Sequence, residues 1–77
     1  MKSPITKNEY FNTFRPRVLA HTTGANIHVI NGMLGVVLNS IDLVDDDCFS
    51  KKKQAEILQR MNDAIIRIRL MVPKSGI

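Results

Sequence analysis

Cys48-Phe49-Ser50-Lys51-Lys52-Lys53-Gln54-Ala55-Glu56-Ile57-Leu58-Gln59-Arg60-Met61-Asn62-Asp63-Ala64-Ile65-Ile66-Arg67 is the stretch whose reading decides the fold. Leu58, Met61, Ile65, Ile68 and Val72 follow one another at 3-4-3-4 spacing, the signature of a continuous apolar seam on a helix. Ile57, Ala64 and Met71 repeat every seven residues beside it. Lys53, Arg60, Arg67 and Lys74 repeat every seven on a separate face. One partner helix covers one seam, so the second apolar stripe is expected to need another surface. In so short a chain, another copy of the protein is the natural supplier, with the cationic stripe beside that contact, where an anion could bind.

Working back from this helix, Asp45-Asp46-Asp47-Cys48-Phe49-Ser50 reads as a loop whose Ser50 caps the helix and whose aspartates favour its positive end. Before the loop, Ile27, Ile30, Leu34, Val37, Ile41 and Val44 are spaced 3-4-3-4-3, and Val29, Val36 and Leu43 form a second stripe seven residues apart. The match to helical spacing is longer than any period-two alternation, despite many β-branched residues. Gly32 and Gly35 weaken such a helix and are expected to mark a close backbone approach or a kink. Thr22-Thr23-Gly24 offers the N-cap. Further back, Thr6-Lys7-Asn8-Glu9 is a capping box ahead of Tyr10, Phe11 and Phe14, which predicts a short helix with docked aromatics, ended by Pro16.

The expected architecture is therefore all-α and a single domain over 1–77: an antiparallel helical hairpin with a short N-terminal helix, assembled as a homo-oligomer. The expected elements are a short helix at about 6–15, a long helix at about 23–44, an acidic loop at 45–50, a helix at about 51–71 and a tail at 72–77.

The chain has 77 residues. A domain this size buries only ~60% of its unfolded surface and is marginal alone. One cysteine makes no intramolecular disulfide, and no Cys/His spacing suggests zinc, so association is the remaining common route to stability. The lone Cys48 fits a reducing, cytoplasmic setting. Met1-Lys2-Ser3-Pro4 leads into polar residues, so no signal peptide is expected. Asn31 interrupts the apolar run from Val29 to Leu38, which is short of the ~20 residues of a span, so no membrane partner is expected. A net charge of +4 and a pI near 9.7 favour anionic partners.

Catalysis finds no footing in the sequence. His21 and His28 have no partner at a motif spacing, and Cys48 reads as a small buried residue. Asp45, Asp46 and Asp47 lack the spacing and terminal Glu of a calcium loop and read as a solvated acidic turn. No metal, cofactor or enzymatic activity is expected. Asn26, Asn31 and Asn39, on an otherwise apolar helix, face solvent, fix register across an interface or reach a ligand between subunits. The cationic stripe has two readings: a solvated face with local Glu56–Arg60 and Asp63–Arg67 pairs, or a phosphate site. Arg15 and Arg17 stand just before the Thr22-Thr23-Gly24 turn, and a helix N-terminus beside arginines suits a phosphate. Tyr10, Phe11, Phe14 and Phe49 look like core residues, which leaves few platforms for single-stranded nucleic acid. A duplex would need a longer basic surface. A small phosphorylated ligand fits better than a nucleic-acid polymer.

Three segments resemble the phage anti-CBASS sponges of the type-two class. Arg17-Val18-Leu19-Ala20-His21-Thr22-Thr23-Gly24 is similar to the family's first segment, Cys48-Phe49-Ser50-Lys51-Lys52 to its turn, and Leu58-Gln59-Arg60-Met61-Asn62-Asp63-Ala64 to its helix core. The similarity runs from about Arg17 to Arg69. Ala20 stands where that family has tyrosine, Thr22 and Thr23 where prolines are usual, and Arg67 where tryptophan is usual. The resemblance implies a non-enzymatic phage protein acting in the cytoplasm of the infected bacterium. It implies a homo-oligomer, hexamers being known in the family, that sequesters a cyclic di- or trinucleotide between subunits. On the matching positions, Arg17 would contact phosphate, His21 would pack on or bond to the ligand, Thr22 and Thr23 would donate hydrogen bonds, and Arg60 and Lys52 would supply charge. Two other classes stand beside this one: a helical module that docks on or inhibits a host protein, and a small basic DNA-binding protein.

Overall fold

A computed structural model describes residues 3–72. Lys74 and the expected tail beyond Val72 lie outside the described residues. Among the described residues every regular element is helical: α1 (Lys7–Glu9), a π-helical stretch (Tyr10–Phe14), α2 (Arg15–Ala20), α3 (Ile27–Val44) and α4 (Lys51–Met71).

The N-cap half of the capping box forms, and the Glu9 carboxylate binds the Thr6 hydroxyl in place of the Thr6 amide. Glu9 N–H donates to Thr6 Oγ1 at 3.1 Å, and the Thr6 hydroxyl donates to the Glu9 carboxylate at 3.0 Å. Pro16 does not end the helix as expected. The chain stays helical from 7 to 20, and the turn before Pro16 widens, with Arg15 N–H donating to the Tyr10 carbonyl five residues back. Proline lacks an amide and its ring strikes the carbonyl four residues earlier in an α-helix. A π-turn changes that register locally. The consequence is one rod that carries Tyr10, Phe14 and Val18, all buried, on a single face.

α3 also departs from expectation. It starts at Ile27, not at the Thr22-Thr23-Gly24 turn, and its N-cap Asn26 makes no side-chain cap bond. The Thr22 hydroxyl instead donates to the Val18 carbonyl, closing the C-terminus of α2. Ile30, Leu34, Val37, Ile41 and Val44 are buried, and Ile27 is half-buried. A Cβ built at Gly32 or Gly35 meets nothing within 4 Å, so neither glycine serves a close approach inside the chain. Ser50 caps α4 by accepting Lys53 N–H at 3.2 Å, and Gln54 Nε2 ties the helix to the loop through the Asp46 carbonyl at 2.8 Å.

α3 and α4 pack on one another across a loop of six residues, which makes them antiparallel. Lys7 reaches Asp42 near the loop end at 3.4 Å, and the buried Tyr10 hydroxyl donates to the Leu34 carbonyl further along α3 at 3.0 Å. The N-terminal helix therefore runs from the loop end toward the open end, parallel to α4. The 38 × 20 × 17 Å envelope is that of three helices side by side around one core, the long edge set by α4 at ~1.5 Å per residue.

The third helix overturns the expectation drawn from two seams on α4. Met61, Ile65, Ile68 and Val72 are buried, but so are Ile57 (9% exposed) and Ala64 (6%), while Met71 and Leu58 are half-buried. Both stripes are covered within the chain, one neighbour being α3 and the other the N-terminal helix. The uncovered apolar side chains are elsewhere: Val29 and Leu43 on α3, Ile66 and Leu70 on α4, and Phe11. Among the described residues α3 is the one helix long and apolar enough to cross a membrane by length and composition, with mean hydropathy 1.6, a test that core helices of water-soluble proteins also pass. Only a third of it is buried in the chain.

Candidate functional site

Two grooves flank the buried face of α4. The first, about 580 Å³, lies between α4 and the N-terminal helix. Glu9, Thr13 and Arg17 form its first wall at spacing four, and Asn62, Ile66 and Arg69 form the second, with Phe14 and Ile65 below. Because the two helices run the same way, Arg17 and Arg69 stand together at the open end and Glu9 lies toward the loop. Among the described residues neither arginine has a carboxylate within salt-bridge distance. The groove thus offers two guanidinium forks at one end, an apolar floor, and amide and hydroxyl groups between.

His21 caps α2 and is exposed. Thr23 is exposed, and its carbonyl accepts Asn26 N–H at 3.0 Å. Both belong to the open end, as does the start of α3, whose first amides have no side-chain cap. The Thr22 hydroxyl is already committed to Val18. Thus Arg17, His21, Thr22 and Thr23 fall at one end of the bundle. Lys52 does not join them. It is exposed in the first turn of α4, at the loop end. Arg60 lines the second groove instead.

That second groove, about 480 Å³, runs between α3 and α4 and is lined by Met33, Val36, Glu56, Arg60, Asp63 and Arg67 among others. The expected local pairs Glu56–Arg60 and Asp63–Arg67 are not made: among the described residues the one ion pair joins Lys7 to Asp42. Lys53, Arg60 and Arg67 are exposed. Sequence reasoning missed Arg69 because it belongs to no seven-residue repeat. The signal lay in Arg67 and Arg69, two residues apart and so on different flanks of a helix.

The acidic loop is built by Asp46, whose carboxylate accepts Cys48 N–H at 2.9 Å. Cys48 is exposed, contrary to the expectation of a small buried residue, because this turn points the side chain outward. The Asp46 carboxylate, by hydrogen bond and by charge, raises the Cys48 thiol above its ordinary pKa, so the thiolate is disfavoured. Asn31 and Asn39 are exposed, and Asn26 is half-buried. Among the described residues no three His, Cys, Asp or Glu side chains converge on a metal position. Comparison of the chain with protein-family models, with curated proteins and with solved structures found no match.

Proposed function

We propose that this protein is a non-enzymatic binding protein that sequesters a small phosphorylated ligand of the cyclic di- or trinucleotide class, in a homo-oligomer within the bacterial cytoplasm. The observation that carries the reading is the first groove. Two arginines without carboxylate partners among the described residues share one end of it, matched to phosphate oxygens, and Phe14 and Ile65 supply an apolar floor for a base. Glu9, Thr13 and Asn62 supply donors and acceptors for base edges. The resemblance to the phage sponges supports the same ligand class through Arg17, with His21 and Thr23 exposed at the same end. Arg60 and Lys52 lie away from this groove, so any part they play comes from a neighbouring subunit.

The test is calorimetric titration of the purified protein with a panel of cyclic di- and trinucleotides, followed by heat release and chromatography of the ligand. Tight binding with intact ligand recovered supports the reading. Arg17→Ala and Arg69→Ala should each weaken binding roughly tenfold or more, since a hydrogen bond to a charged group is worth about 1.5–3 kcal/mol. Silence across the whole panel would sink the proposal.

A second reading is a module that docks on a host protein. The specific observation favouring it is Ile66 and Leu70, which are 53% and 76% exposed one turn apart on α4. Its test is pull-down from host lysate, with Leu70→Asp as the variant that should lose the partner.

A further inference from the structure

The second groove carries a charge pattern that the chain itself leaves unused. Along one flank of α4 stand Glu56, Arg60, Asp63 and Arg67, alternating in sign at spacings of four, three and four. The pattern is antisymmetric about its midpoint: read backwards, every position carries the opposite charge. Laid antiparallel on a second copy, Glu56 meets the partner's Arg67 and Arg60 meets the partner's Asp63, and the same two pairs recur by symmetry. A parallel arrangement would set like against like.

Independently, α3 contributes Val29, Val36 and Leu43 beside this flank, with Val29 and Leu43 more than a third exposed. This stripe is symmetric about Val36, so the same antiparallel pairing sets Val29 against the partner's Leu43 and Val36 against itself. The two midpoints share one groove. Val36 lines the groove together with Glu56, Arg60, Asp63 and Arg67, so one axis serves both helices. Gly32 adjoins this stripe with open space where a Cβ would be, which leaves room for a second backbone.

We infer that the α3–α4 face is a two-fold interface with a second copy of this chain, its axis passing beside Val36 and between Arg60 and Asp63. An isologous contact demands that each residue meet its complement under a two-fold rotation. A four-charge alternation whose 4-3-4 spacing reads the same in both directions meets that demand, whereas local pairing would need the Glu56–Arg60 and Asp63–Arg67 contacts that the chain does not make. The inference rests on the reading that the chain assembles with itself. It does not depend on which ligand the first groove takes.

The test uses two full-length variants. Glu56→Arg with Asp63→Arg makes the flank all positive; Arg60→Glu with Arg67→Glu makes it all negative. All four sites are exposed, and circular dichroism checks that each variant stays helical. Light scattering after size exclusion should show the wild type at twice the 8.7 kDa chain mass or a multiple of it. Each variant alone should lose this contact, and the equimolar mixture should regain it as a one-to-one pair. Recovery on mixing cannot arise from pairs within a chain. Val36→Arg, which sets a charge against itself on the axis, should also abolish the contact without touching the four charges. A monomeric wild type, variants that assemble as the wild type does, or a mixture that stays apart would each overturn the inference. Nucleotide binding is measured separately on the same samples, so failure at this face and failure of the ligand reading are distinguishable.

Discussion

Tyr10→Phe is the substitution with the most to say about this fold. Tyr10 is 2% exposed, sits edge-on to Phe11 at 5.0 Å, and donates its hydroxyl to the Leu34 carbonyl at 3.0 Å across the core. Phenylalanine keeps the ring and its packing and removes only that bond. A neutral hydrogen bond contributes about 1 kcal/mol net, and the Leu34 carbonyl lies inside α3, where the helix ladder still offers it an amide. The expected loss is therefore about 1 kcal/mol, which for a domain of this size lowers Tm by roughly 4–8 °C. The pH dependence adds a second readout. Burial raises the Tyr10 phenol above its ordinary pKa, an effect that the nearby Arg15 charge partly offsets. A raised folded-state pKa means that the fold favours the protonated phenol. Its contribution is complete below the unfolded value near ~10 and fades as pH rises through the folded value. The difference in stability between wild type and Tyr10→Phe should accordingly be flat from neutral pH to about pH 9 and shrink in stronger alkali. Thermal melts of both proteins across that range measure it. Equal Tm values at neutral pH with a constant difference into alkali would refute both the bond and the burial.

Two further substitutions test local readings. Gly35→Ala should stabilise the protein by about 0.5–1 kcal/mol, because the added methyl meets open space and the unfolded chain loses freedom; a lower urea midpoint would show that something covers this position. Ser50→Ala should remove about 1 kcal/mol by uncapping α4, and an unchanged midpoint would mean that the Lys53 amide finds water equally well.

Much of the helical layout was legible from spacing alone. The N-caps at Thr6 and Ser50 are local signals, and each side chain accepts the amide three residues on. The buried run Ile30, Leu34, Val37, Ile41, Val44 follows the 3-4 rhythm directly. Pro16 departs from the rule for ideal α-helices because the turn before it is widened. The start of α3 differs from the cap signal because the Thr22 hydroxyl turns back to the helix before it, a choice between two neighbouring partners that composition does not rank. In the candidate site, Arg17 was visible as an arginine near the right end of a helix, but its neighbour Arg69 lies fifty-two positions away and became visible only when the helices were placed.

The sequence by itself determined that the chain is helical, which positions along α3 and α4 are apolar, and where two of its caps fall. These follow from bonds and periodicities that close within one or two turns. The tertiary structure decided which apolar stripes are covered, which arginines share a groove, and which charges stay without partners. A stripe on a helix marks a face but does not say what covers it. Here the π-turn let the N-terminal helix continue past Pro16 and cover what two helices alone would have left open.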